Sequence, residues 1–87
     1  MAKLKKILSK VLAGSKNISF NDFVSLVEGF GFRLSRVSGS HHIFNHPKVK
    51  ELVNLQNVKG QAKPYQIRQF MELIEKYALK LEKEAKE

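Results

Sequence analysis

The hydrophobic period of this chain changes twice, and those changes limit the folds open to it. Phe20, Phe23, Val24, Leu26, Val27 and Phe30 supply a helix with a broad apolar face. Gly29 and Gly31 are expected to end it. From Phe32 the pattern becomes that of strands. Phe32 to Val37 predicts a first strand, Ser38-Gly39 a tight turn, and Ser40 to His46 a second strand. Pro47 closes that strand because it has no N–H to give to a paired interior position. Lys48 to Lys50 reads as a turn, and Glu51 to Gln56 as a third strand with Val53 and Leu55 on one face. Asn57 to Lys63 reads as a polar, basic loop. Pro64 then suits the first turn of a helix, where a missing N–H costs nothing. Ile67, Phe70, Met71, Ile74, Tyr77, Ala78 and Leu81 line one side of that helix.

One more helix is expected upstream. Leu4, Ile7, Leu8, Val11 and Leu12 form a single apolar stripe, with Lys3, Lys5, Lys6 and Lys10 largely off it. This segment reads as a terminal helix docking on the domain or on another subunit. Gly14 stops it, and Ser19 with Asp22 forms a weakened capping box for the helix that follows. The order is therefore helix, helix, three antiparallel strands, helix, an α+β chain. It divides into an amphipathic extension over residues 1–18, a domain over 19–77 and a charged helical tail over 78–87.

At 87 residues the chain can build only one small core. It has no cysteine, which excludes disulfides, thiolate chemistry and cysteine-bound zinc. With no redox signature, the cytoplasm is the expected compartment. No apolar run approaches the ~20 residues that span a bilayer. The first twelve residues interleave lysine with leucine and do not read as a secretory signal.

The formal charge is +8, which points to nucleic acid or an acidic partner. It is unevenly placed. Residues 31–68 carry Arg33, Arg36, Lys48, Lys50, Lys59, Lys63 and Arg68 against Glu51 alone, whereas lysines and glutamates nearly balance from Gln69 onward. The middle of the chain is the expected anion-binding surface, with Arg33, Arg36, Lys59, Lys63 and Arg68 as its candidate contacts.

All three histidines fall in one run, Gly39-Ser40-His41-His42-Ile43-Phe44-Asn45-His46-Pro47. Histidine exchanges a proton near neutral pH, so its place among cations suggests acid–base chemistry on an anionic substrate. Strand side chains alternate faces. Helices on one side of the sheet must bury a large residue, and Phe44 is the best candidate. That puts His42 on the helix side and His41 on the open side, provided no bulge intervenes. His46, before Pro47, is expected at the surface. His42 and His46 lie about 13 Å apart at ~3.3 Å per residue, too far to share a metal, and no other ligand cluster is recognisable. Neither a nucleophile elbow nor a phosphate loop is present. No cofactor is expected.

Gly31-Phe32, the Gly39 to Pro47 run, and Gly60-Gln61-Ala62-Lys63-Pro64-Tyr65-Gln66-Ile67-Arg68-Gln69-Phe70 resemble the HicA (YcfA-like) toxin family over roughly residues 19 to 74. The resemblance implies a small double-stranded-RNA-binding-like fold and the activity of a ribosome-independent mRNA interferase. It also implies neutralisation by a HicB antitoxin. The family's catalytic histidine follows Gly-Ser and maps onto His41. Some members shift it by one place, which leaves His42 as the alternative.

The expected function is therefore a metal-independent endoribonuclease acting on single-stranded RNA or mRNA. A non-catalytic RNA-binding module of the same fold would explain the charge and the aromatics equally well, and only His41 separates the two. An interaction domain built on the N-terminal stripe is a third reading.

Overall fold

The computed structural model describes residues 3–81. The elements run α1 (Lys3–Leu12), α2 (Phe20–Gly29), β1 (Arg33–Ser38), β2 (His41–His46), β3 (Val49–Val58), β4 (Gln61–Ala62) and α3 (Pro64–Lys76). The strands form one antiparallel sheet in the order β1-β2-β3-β4. This is the expected α+β architecture with one strand more. Among the described residues no helix is long and apolar enough to cross a membrane.

Aromatic packing holds the helices on the sheet. Phe70 of α3 meets Phe23, Phe30 and Phe32 edge-on, with ring centroids 5.5, 5.7 and 5.4 Å away. Edge-to-face pairs add about 0.5–1.5 kcal/mol each beyond area burial. Phe44, from β2, is wholly buried beneath these rings with Val53 and Leu55 of β3. Ser19 starts α2 as expected, its hydroxyl accepting the Asp22 N–H at 3.1 Å.

Gly29 ends α2, as expected. It is the last helical residue and a close-approach point, where an added Cβ would lie 2.5 Å from Leu4 Cδ1. Its missing side chain lets α1 settle against α2. Ile7 and Val11 are buried and Leu4 and Leu8 half-buried, so the N-terminal stripe packs on the domain. Leu12 is the exception at 70% exposed. Gly31, with φ of 96°, makes the turn into β1.

Three sequence expectations need correcting. The basic loop over Asn57–Lys63 is largely a hairpin. β3 runs on to Val58, and Gln61–Ala62 pairs back as β4. Lys59 and Gly60 at the turn have φ of 53° and 80°, as a two-residue type I′ turn requires. The Asn57 side chain secures that turn by accepting the Gly60 N–H at 2.8 Å. The turn before β3 is shorter than expected, because Val49 already pairs with His46. Finally, α3 ends at Lys76 rather than continuing to Leu81. Ala78 takes φ of 53° and redirects the chain, yet Leu79 and Leu81 still pack on the core. Residues 82–87, most of the expected charged helical tail, lie outside the described residues.

Glu51 points to the helix side and ties β3 to the end of α3. Its carboxylate accepts from Lys76 Nζ at 2.8 Å and from the Tyr77 hydroxyl at 2.6 Å. The Lys76 and Tyr77 hydrogen bonds lower the carboxyl from its ordinary 4.5 to about 2. A carboxyl held low in the folded state stabilises the protein above its ordinary value and loses that contribution as pH falls toward the lowered one. The clamp is partly exposed, so its effect is modest. Denaturant midpoints of wild type and Glu51→Gln should therefore differ at pH 7, with the gap closing between pH 4.5 and 2. A gap that stays constant across that window would contradict the assignment.

Candidate functional site

The site is set by which face of β2 is buried. His42, Phe44 and His46 face the helices. The His42 ring lies 4.9 Å from Phe20 and the His46 ring 4.9 Å from Phe32. His46 is thus buried, 6% exposed, and not the surface residue expected from its place before Pro47. Its Nδ1 accepts the Lys48 N–H at 3.0 Å and so closes the β2–β3 turn. His42 is half-buried, and its Nδ1 is shielded from solvent without a hydrogen-bond partner among the described residues.

His41 takes the opposite face and is exposed. The irregularity in the β2–β3 pairing falls between Phe44 and His46, beyond the two candidate histidines, so it leaves their alternation intact. Register builds the rest of the open face. Ser38 of β1 and Gln56 of β3 stand opposite His41, Arg36 and Asn54 stand opposite Ile43, and Arg33 stands opposite Asn45. Residues directly opposite in an antiparallel pair share a face. Lys50 and Leu52 alternate with the buried Val49 and Val53 and are both exposed. The face is therefore polar and positive, carries the exposed Leu52 at 63%, and includes no acidic residue among those named.

The sequence-predicted cations separate by face. Arg33 and Arg36 share the open face with His41. Lys59 sits in the β3–β4 turn. Lys63 precedes α3, its ammonium 5.5 Å from the centre of the Tyr65 ring. Arg68 lies on α3 beside a groove of about 290 Å³ lined in part by Val11, Leu12 and Ile67, away from the sheet's open face. Asn54 is an addition that sequence reasoning missed. Its Oδ1 lies 3.2 Å from His41 Nδ1. A lone asparagine in a strand carries no motif, although its position one residue from Val53 and Leu55 already placed it on the histidine's face. Among the described residues no three His, Asp or Glu side chains converge as a metal site would require.

A comparison with known families supplies the identity this geometry suggests. Residues 20–75 match the family described as the HicA toxin of bacterial toxin–antitoxin systems. No curated protein and no solved structure matched the chain. The matched segment runs from the start of α2 almost to the end of α3, and so contains the whole sheet, the open face and its histidine. Covering well over half of the 87 residues, the match shows that this chain belongs to the HicA toxin family.

Proposed function

We propose that the chain is a metal-independent mRNA endoribonuclease that uses His41 for proton transfer. The observation that carries this reading is an exposed histidine on an open, positively charged sheet face, with Arg36 diagonal to it and Arg33 farther along the same face. RNA brings its own nucleophile. His41 takes the proton of the 2′-hydroxyl, and the 2′-oxygen forms a bond to the adjacent phosphorus. The bond from phosphorus to the 5′-oxygen breaks. The products are a 2′,3′-cyclic phosphate and a 5′-hydroxyl, whose proton comes from solvent. Arg33 and Arg36 hold the phosphate and offset the charge that builds on it. Lys59 and Lys63 extend the cationic path around the β4 end. Arg68 contacts RNA only where the strand passes the start of α3.

A toxin of this family is paired with an antitoxin. A HicB-like partner that covered the open face would block both His41 and the phosphate contacts at once. His42 is the weaker catalytic candidate because its ring packs against Phe20 and its Nδ1 is shielded from solvent.

The direct test compares the two histidines. His41→Ala should lower cleavage of a single-stranded RNA by about 10²–10⁴-fold with little change in stability or RNA affinity. His42→Ala should cost about 1–2 kcal/mol of stability through lost packing, with cleavage retained by the folded fraction. Wild-type cleavage by His41→Ala would remove the histidine from the reaction, and if RNA is bound but never cut the chain is a binding module. Cleavage should also persist in excess chelator. Loss of activity there, restored by magnesium, would contradict the mechanism. RNA affinity should fall with salt, by a slope of about 0.7 per phosphate neutralised. Arg33→Gln and Arg36→Gln should each remove about one such contact, and Lys80→Gln none. Equal effects from all three would mean that diffuse charge holds the RNA.

A further inference from the structure

A histidine that must accept a proton needs the correct ring nitrogen free and pointed at the substrate. Neutral imidazole carries one N–H and one lone pair, and whichever nitrogen is engaged by a neighbour decides where the lone pair sits. On the open face, the neighbour is Asn54, with its Oδ1 3.2 Å from His41 Nδ1. An amide oxygen has only lone pairs to offer. Facing it, Nδ1 donates, and the lone pair is left on Nε2 at the outer end of the ring.

The placement of Asn54 suits this role. It lies within β3, opposite Ile43 and diagonal to His41, so two paired strands fix the spacing of the two side chains. Its side chain is short and loses little rotamer freedom when held. Arg33, Arg36 and Lys50 on that face are donors only; Ser38 and Gln56 stand opposite His41 and carry acceptor oxygens, but the one within hydrogen-bond distance of Nδ1 among the described residues is that of Asn54. A neutral amide also leaves the face wholly positive, whereas a carboxylate there would repel the phosphate.

We propose that Asn54 is the positioning residue of the site, holding His41 in the Nδ1–H tautomer so that Nε2 accepts the 2′-hydroxyl proton. The proposal rests on the reading of His41 as the catalytic base. It deepens that reading by assigning each ring nitrogen a separate task.

The test uses the full-length protein labelled with nitrogen-15 on histidine, together with Asn54→Ala and Asn54→Asp. Ring nitrogen shifts report the tautomer directly, and cleavage of a synthetic single-stranded RNA is followed against pH. Wild type should show His41 protonated on Nδ1 when neutral. Asn54→Ala should lose that preference, and its cleavage should fall by about 10-fold or more while its unfolding midpoint stays unchanged. Asn54→Asp keeps an acceptor, so it should restore the tautomer and most of the rate at saturating RNA, while its charge weakens RNA affinity. Its added negative charge should move the rising limb of the pH–rate profile to higher pH. A wild-type His41 protonated on Nε2, or Asn54→Ala with a normal tautomer and full rate, would overturn the proposal. His41→Ala is assayed beside them. If it is inactive while Asn54→Ala is normal, only the positioning role fails. If it cleaves normally, the histidine mechanism itself fails, whatever the tautomer.

Discussion

Burial of Phe44 is the constraint on which the site depends. A phenylalanine in the second strand of a four-stranded sheet, with helices over one side only, has one place to go. Phe20, Phe23, Phe32 and Phe70 complete that core. Because strand side chains alternate, burying Phe44 also turns His42 and His46 inward and His41 outward. His41, the proposed base, is therefore oriented by core packing that it takes no part in. A one-residue slip of β2 would bury His41 and expose Phe44, and the loss of aromatic burial makes that register unfavourable.

The same alternation divides the chemistry of the sheet. Its inner face carries Glu51, whose charge is used by Lys76 and Tyr77 to fasten α3. Its outer face carries arginine, lysine, asparagine and one exposed histidine. The acid nearest to the histidine run in sequence is thus on the far side of the sheet, paired with Lys76 and Tyr77, and not among the cations of the open face. Helix α1 lies outside the segment matched to the family. It packs on α2 through the space that Gly29 leaves open.

Much of this was legible in the sequence, and each miss has a physical cause. The periodicity around Phe23 and Phe70 gave the helices. The parity of Phe44 gave the outward face of His41. β4 was hidden because Lys59-Gly60 is not an Asn-Gly signature, although the Asn57 side chain compensates by bonding the Gly60 N–H. The end of α3 was hidden because Leu79 and Leu81 remain apolar and packed while the chain turns at Ala78. His46 was misplaced because Pro47 marks a strand end and says nothing about burial; its ring is covered by Phe32, which comes from before β1. Asn54 carries no sequence signal because its contact with His41, thirteen positions away, exists only across a strand pair.

In the proposed mechanism, the chemistry of His41 follows from its position on an open cationic face, with the RNA supplying the nucleophile. The chemical identity of the cleaved ends tests that claim most directly. Mass spectrometry of the products from a defined single-stranded RNA should find a 2′,3′-cyclic phosphate, or the monophosphate formed by its opening, on one fragment and a 5′-hydroxyl on the other. A 3′-hydroxyl with a 5′-phosphate would show that water attacked the phosphorus in place of the 2′-oxygen, and would contradict it.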